Sequence, residues 1–268
     1  MRTSTLYLWI LISLYFSTIG HSKETIRYVE VKSIHEIASD VLYDTSDFWL
    51  IIDVDDTLLE GAQALTQFLW LQETITGLQQ LGFTENEAWN TAYPYWESIQ
   101  EKGSVKTIEA ALPLLISRLQ EQGKTVFAYT ERQRSTEEIT IKQLKSLDIN
   151  LVSSAPPVPE TLPPNISFSS GVLFGGELRK GPGLQFFLGL MNTYPEKIIY
   201  IDNDKQNVSR IGELCKSKKI SYFGITYLAQ KFSPPIYLPE ISKVQYAYEK
   251  KLLSNEAAAL LLRHQMTE

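Results

Sequence analysis

The chain contains a single cysteine, Cys215, among its 268 residues. One thiol cannot form an intramolecular disulfide, so the fold must be stabilised by its apolar core. Hydrophobic residues make up 44% of the sequence, which makes such a core feasible. Because Cys215 lies in a helical pattern, we interpret it as a packed core thiol rather than a reactive one.

Positive charge is also in short supply. The sequence has 25 Lys and Arg residues against 31 Asp and Glu residues, which gives a net charge of −6 at pH 7. A surface that binds nucleic acid is normally basic, so a nucleic-acid partner is not expected. A small phosphorylated molecule bound at one local site is still compatible with this charge.

The apolar stretch at the N-terminus, residues 6–20, is short for a membrane span. With Arg2 before it and small residues after it, the segment predicts a secretory signal peptide of residues 1–22, cleaved before Lys23. The mature chain is then expected in the periplasm or outside the cell, with no stable membrane insertion. An uncleaved membrane anchor is the alternative.

A short, continuous apolar run at residues 48–52 predicts a strand that is buried on both faces. Three carboxylates follow it at once: Asp53, Asp55 and Asp56. In open α/β sheets, ligands bind at the C-terminal ends of the strands. Clustered carboxylates repel each other, and a divalent cation is the natural group to neutralise them. Of the three, we interpret Asp56 as a solvent-facing or helix-capping acid without a part in the chemistry.

From Leu112 to a last predicted strand at residues 222–228, strand and helix patterns alternate along the chain. This alternation predicts an α/β fold with a parallel sheet covered by helices on both faces. Residues 60–106 show helical spacing and no strand pattern, which predicts a helical cap insert. Residues 23–59 and 107–268 would form the α/β core, and the insert would overhang the first acidic strand end.

Three further polar residues lie at predicted strand ends. Thr130 closes one apolar strand, Asp202 closes another, and Lys180 lies after a third, directly before the N-terminus of a helix. All strands of a parallel sheet present their C-terminal ends at the same edge. These three residues are therefore expected to meet Asp53 and Asp55.

The chemistry of these residues is complementary. Asp53 is placed to attack phosphorus as a nucleophile, and Asp55 to protonate the leaving alcohol and then activate water. Asp53, the backbone carbonyl of Asp55, and Asp202 would bind Mg²⁺, which prefers oxygen ligands. The hydroxyl of Thr130 and the ammonium of Lys180 would bind the phosphoryl oxygens of the substrate.

This set of motifs resembles the haloacid-dehalogenase-like (HAD) superfamily of phosphotransferases. Residues 53–57 (DVDDT) match its first motif, Thr130 its second, Lys180 its third and Asp202 its fourth, over about residues 48–228. The leader and the Lys-Gly step are similar to a poorly characterised exported branch near the acid phosphatases. The resemblance implies a Rossmann-like core, Mg²⁺ dependence, an aspartyl-phosphate intermediate and a cap that helps to choose the substrate.

One departure from the family pattern concerns the metal site. Many members have a second Asp after the metal-binding one, and this chain has Asn203 there. Asn203 can hydrogen-bond a metal-bound water but brings no charge, so Asp204 is the residue that would compensate. Arg132, close to Thr130, either reaches a substrate phosphate or faces water.

Three functions are therefore compatible with the sequence. The first is an exported Mg²⁺-dependent phosphomonoesterase acting on a small phosphorylated substrate. The second is a sugar-phosphate phosphotransferase or mutase, which needs a tight cap to keep water from the phosphoenzyme. The third is a catalytically weak or inactive secreted binding module with the same fold, which Asn203 slightly favours.

Overall fold

The computed structural model describes residues 25–159, 162–191, 194–232 and 238–265; the expected signal peptide, residues 1–22, lies outside them. The strands are, in chain order, β1 (Ile26–Val31), β2 (Phe48–Ile52), β3 (Leu59–Gly61), β4 (Val105–Thr107), β5 (Thr125–Thr130), β6 (Ser167–Ser169), β7 (Val172–Phe174), β8 (Lys197–Asp202) and β9 (Ser221–Tyr227). The α-helices are α1 (His35–Leu42), α2 (Phe68–Gln80), α3 (Glu85–Gln100), α4 (Ala111–Glu121), α5 (Glu137–Ser146), α6 (Lys180–Leu190), α7 (Lys205–Lys218), α8 (Ala229–Phe232), α9 (Pro239–Ala247) and α10 (Asn255–Gln265). Over the described ranges, no helix combines the length and the apolar composition that crossing a membrane requires.

Seven strands form one sheet in the order β1-β9-β8-β2-β5-β7-β6. All neighbouring pairs are parallel except β6 and β7 at one edge, which are antiparallel. This arrangement, with helices packed on the sheet, confirms the predicted α/β fold with a Rossmann-like parallel sheet. The antiparallel edge strand β6 was not predicted, because three residues are too few to show a period.

Strand β2 lies in the middle of the sheet and explains why the apolar run of the sequence is continuous. Phe48, Leu50 and Ile52 pack in one hydrophobic cluster, with residues of α1 and α4. Trp49 and Ile51 point the other way into a second cluster, with residues of α6 and α7. Successive side chains of a strand face opposite sides, so a strand covered on both faces needs apolar residues at every position.

The insert after β2 contains two helices, α2 and α3, packed against each other. Thr84 and Glu87 form a capping box at the start of α3, with each side chain bonded to the backbone of the other residue. The short strands β3 and β4 form an antiparallel pair where the insert joins the core. The prediction that residues 60–106 contain no strand was therefore wrong at both ends, where the strands are only three residues long.

The C-terminal segment forms α9 and α10, which pack with Ala64 near the start of the insert. The side chains of Gln245 and Asn255 accept hydrogen bonds of 2.9 Å from the backbone N–H groups of Leu65 and Ala64. Asn255 also donates to the carbonyl of Ala62 at 3.1 Å. The C-terminal helices thus hold residues 62–66, which we call the base of the insert.

Candidate active site

Four adjacent strands of the sheet, β8, β2, β5 and β7, run in parallel and end at the same edge. Asp202 is the last residue of β8, Asp53 follows β2, and Thr130 is the last residue of β5. Lys180 follows β7 and is the first residue of α6. The sequence predicted Lys180 directly before this helix, whereas the structure places it in the first turn.

Asp53 and Lys180 form a buried ion pair. Lys180 Nζ donates to Asp53 Oδ1 at 2.7 Å and also donates to the backbone carbonyl of Tyr129. Lys180 is only 1% exposed and Asp53 only 7% exposed. Burial raises the pKa of Asp53, and Lys180 counteracts part of that rise. For Lys180 itself, burial opposes the charge, but Asp53 and Asp202 together raise its pKa. The ammonium is therefore held charged against the carboxylate.

Asp202 is fully buried beside this pair. Its Oδ2 accepts a hydrogen bond from the Tyr200 hydroxyl at 2.5 Å, and its Oδ1 accepts one from the backbone N–H of Asp204 at 2.7 Å. Burial, and then the charge of Asp53, raise the pKa of Asp202 to about 8. The two acids, Asp53 and Asp202, lie beside the single positive charge of Lys180. A bound cation would neutralise the remaining negative charge.

Asp202→Asn is expected to stabilise the metal-free protein at pH 8. A carboxyl whose pKa rises from near 4 in the unfolded chain to about 8 in the fold weakens the folded state as the pH rises through that window. A tenfold change in proton affinity corresponds to about 1.4 kcal/mol, so we expect a gain on the order of a few kcal/mol at pH 8. Unfolding by urea at pH 4 and pH 8 with chelator measures it. The two proteins should be alike at pH 4; an equal pH dependence of both would contradict the prediction.

Asp55 is bound by Arg132 with both oxygens. Arg132 Nη2 donates to Asp55 Oδ1 at 2.7 Å, and Arg132 Nε donates to Asp55 Oδ2 at 2.9 Å. Arg132 is 3% exposed, so the interpretation that it faces water was wrong. Arg132 Nη1 also donates to Thr140 Oγ1 at 2.9 Å and to Gln143 Oε1 at 2.7 Å. The sequence offered no signal for this pair, since its partners are 77 residues apart.

Thr130 is 1% exposed, and its Oγ1 accepts a hydrogen bond of 3.0 Å from the backbone N–H of Arg132. A hydroxyl that accepts one bond can still donate its own proton. Thr130 can therefore bind an anionic oxygen at the strand edge while its position is fixed by the following turn.

Asp56 is half-buried and caps no helix, which corrects the interpretation of this residue as a helix-capping acid. It lies in a turn between β2 and β3 with φ of 57° and donates its N–H to the carbonyl of Leu59 at 2.8 Å. Burial, then the charges of Asp55 and Glu60, raise its pKa to about 8. Aspartate tolerates the left-handed region better than most residues, which explains why an acid fits this turn.

Asn203 and Asp204 are both engaged in local structure. The backbone N–H of Asn203 donates to Thr57 Oγ1 at 3.1 Å, and Thr57 Oγ1 lies 3.4 Å from Asn203 Oδ1. Asp204 caps α7 by accepting from the N–H of Gln206 at 2.8 Å. The carboxylate expected to compensate for Asn203 therefore has a structural partner of its own.

Within the described parts of the chain, no three Asp, Glu, His or Cys side chains are grouped closely enough to hold a metal ion by themselves. Mg²⁺ does not need three such side chains, because it commonly binds one or two carboxylates together with water and substrate phosphate. The buried carboxylates of Asp53 and Asp202 and the backbone carbonyl of Asp55 offer oxygen donors of the right kind. Burial, and then the charge of Asp53, raise the pKa of Asp202, and a divalent cation would stabilise both acids in their ionised form.

Comparison with known proteins gives a family and several relatives. Residues 30–259 match the family described as "Protein of unknown function (DUF2608)". A Chlamydia pneumoniae protein is 53% identical over 260 residues, which cover 97% of this chain and 99% of that protein. Relatives from Chlamydia trachomatis and Chlamydia muridarum are 53% and 54% identical, and each alignment covers 91% of this chain and 94% of the relative. All three relatives are named "Putative outer membrane protein".

Proposed function

The chain belongs to the DUF2608 family, and from that premise we propose that it is an exported, Mg²⁺-dependent phosphomonoesterase of the HAD type. The observation that carries the proposal is the buried Asp53–Lys180 pair beside Asp202, at the C-terminal edge of a parallel sheet. A lysine held against an acid in a buried place is costly to maintain for structure alone. Such a pairing is expected where the acid, here Asp53, must stay ionised in order to attack an anionic substrate.

In this mechanism Asp53 attacks the phosphorus of a small phosphate monoester through a carboxylate oxygen. The P–O bond to the leaving group breaks as the new P–O bond forms, which yields an aspartyl phosphate and an alkoxide. Asp55 donates a proton to that alkoxide, and the alcohol departs. Asp55 then takes a proton from water, and the resulting hydroxide attacks the phosphoenzyme, which releases phosphate and restores Asp53.

Lys180 and Thr130 bind the equatorial phosphoryl oxygens, where negative charge is concentrated in the transition state. Lys180 is the first residue of α6, so the partial positive charge of the helix N-terminus lies close to it. Asp53, Asp202 and the backbone carbonyl of Asp55 would hold Mg²⁺, which would supply further positive charge to the phosphoryl group. Together with the charge of Lys180, this would offset the repulsion between an anionic nucleophile and an anionic substrate.

Export is the second part of the proposal. A secretory signal is expected at residues 1–22, and the names of the relatives describe those proteins as outer membrane proteins. A mature chain in the periplasm or outside the cell would meet phosphate esters from the surroundings. Its partner would be a small phosphorylated molecule rather than nucleic acid, in keeping with the net charge of −6.

One observation favours a different function, a catalytically weak binding module. Asn203 brings no charge to the metal site, and the carboxylate of Asp204 is engaged in the cap of α7. A weaker metal site lowers the rate of phosphoryl transfer while leaving the fold intact.

The decisive experiment is an assay of the purified mature chain on p-nitrophenyl phosphate and on a panel of aliphatic phosphate esters. We expect turnover with Mg²⁺ and its loss when a chelator removes the metal. Absence of turnover on the whole panel would contradict the phosphatase and favour the binding module. A phosphorylated acceptor sugar as the main product, in place of inorganic phosphate, would favour the mutase.

A further inference from the structure

We propose that Arg132 is a positioning residue for Asp55, and that helix α3 of the insert supports Arg132 through Gln143 and Gln100. This inference rests on the proposed phosphatase activity. It adds a series of contacts that connects Asp55, at the C-terminal edge of the sheet, to the insert.

The first part of the connection is the two-point contact between Arg132 and Asp55. A guanidinium presents its N–H groups in a rigid fork that matches the two oxygens of a carboxylate. With contacts of 2.7 and 2.9 Å, the Asp55 carboxylate can rotate only if both hydrogen bonds break. Asp55 is 26% exposed and Arg132 3% exposed, so the acid opens to the site and the arginine lies behind it.

The second part runs from Arg132 into the insert. Arg132 Nη1 donates to Gln143 Oε1 at 2.7 Å, and Gln143 Nε2 donates to Gln100 Oε1 at 3.3 Å. Gln100 Nε2 donates in turn to the carbonyl of Thr66 at 3.1 Å. Each donor in this series bonds an acceptor. The orientation of the side-chain amides of Gln143 and Gln100 is therefore set by the groups to which they are bonded.

The third observation is the burial of the series. Gln143 is 4% exposed and Gln100 is 2% exposed. Gln143 belongs to α5 of the core, whereas Gln100 is the last residue of α3 in the insert. Two buried glutamines between helices are less stabilising than apolar side chains of the same size, because their amides lose water. Their arrangement is explained if they hold Arg132 in one position relative to the insert.

Trp96 adds a contact of the same kind from α3. Its indole Nε1 donates to the carbonyl of Thr66 at 3.2 Å, the same acceptor that Gln100 uses. The guanidinium carbon of Arg132 lies 5.8 Å from the centre of the Trp96 ring, within the range of a cation–π contact. A shift of α3 would therefore displace Arg132 through two separate contacts. A displaced Arg132 would in turn move Asp55.

The test uses the dependence of the rate on the leaving group. An aliphatic alkoxide needs a proton from Asp55 in order to depart, whereas p-nitrophenolate is a stable anion and does not. The value of kcat/KM covers every step up to departure of the leaving group. The ratio of kcat/KM for an aliphatic phosphate to that for p-nitrophenyl phosphate thus measures how well Asp55 is aimed, and a general loss of stability would not change it.

Three variants are compared with the wild type. Arg132→Lys keeps the charge but loses the fork, so the ratio should fall by about 20-fold or more, a part of the roughly 10²- to 10⁴-fold that a general acid contributes. Gln143→Met removes the link to the insert without touching Asp55 and should lower the ratio by about 3- to 10-fold. Gln120→Met is the matched control, because Gln120 bonds Asn150 and Ser154 away from the site, and it should leave the ratio unchanged.

The outcomes separate the inference from the function on which it rests. If Arg132→Lys lowers kcat/KM equally for both substrates, Arg132 does not position the acid. If Gln143→Met leaves the ratio at the wild-type value, the insert has no part, and this variant decides the question if Arg132→Lys does not fold. A wild-type protein without turnover on either substrate overturns the proposed function, and the positioning role falls with it.

Discussion

Asp53→Asn is expected to lower kcat/KM for phosphate esters by at least about 10⁴-fold, the order of loss seen when a nucleophile is removed. The amide of asparagine has the shape of the carboxylate but cannot form the aspartyl phosphate. Its oxygen can still accept the hydrogen bond that Lys180 Nζ donates to Asp53 at 2.7 Å, so the variant should remain folded. Steady-state assays with Mg²⁺, beside a thermal unfolding curve, measure both properties.

Asp56→Asn is the matched control for this prediction. It makes the same chemical change in the same acidic turn, and asparagine tolerates the φ of 57° found there. Because Asp56 has no part in the proposed mechanism, its kcat/KM should stay within about tenfold of the wild type. If Asp53→Asn retained more than about one hundredth of the activity, Asp53 would not be the nucleophile.

Lys180→Met is expected to lower both activity and stability. The lysine is 1% exposed and lies against Asp53, so its removal leaves a buried carboxylate without a partner. Removing one member of a buried ion pair typically destabilises a protein by about 3–5 kcal/mol. Turnover should fall by about 10²-fold or more, because a main ligand of the phosphoryl oxygens is lost. Chemical unfolding with chelator, together with the phosphatase assay, measures the two effects.

A double variant distinguishes charge from packing in this result. Asp53→Asn combined with Lys180→Met removes both charges, so much of the lost stability should return while activity stays absent. Lys142→Met, a change of an exposed lysine on α5, should alter stability by no more than about 0.5 kcal/mol. If the double variant were as unstable as the sum of the single ones, the destabilisation would come from packing around Lys180.

The sequence was informative where function depends on local pattern. The apolar run of β2 predicted a strand buried on both faces, and Thr130 and Asp202 were predicted at strand ends, where they are the last residues of β5 and β8. Because parallel strands end at one edge, the positions of Asp53, Thr130 and Asp202 followed from their place after those strands. None of these inferences required knowledge of a long-range contact.

The sequence was uninformative where a tertiary contact decides the role of a residue. Ser135 lies just before α5, where a serine often caps a helix. Its hydroxyl instead donates to Glu97 of the insert at 2.7 Å, and a short 3-10 helix precedes α5. Arg132 follows Thr130 in sequence, yet its role is set by Asp55, Gln143 and α3. A residue that can pair with any of several distant partners carries no periodic signal of its own.

The contacts between the C-terminal helices and the base of the insert have a consequence for the order of assembly. The backbone at Ala64 and Leu65 is bonded by the side chains of Asn255 and Gln245, which are 191 and 180 residues further along the chain. Those side chains are synthesised long after the acids at the end of β2. The base of the insert can therefore be fixed only after residue 255 has emerged, although the acids below it are made early. Until that point in synthesis, the region above the proposed site would stay incomplete.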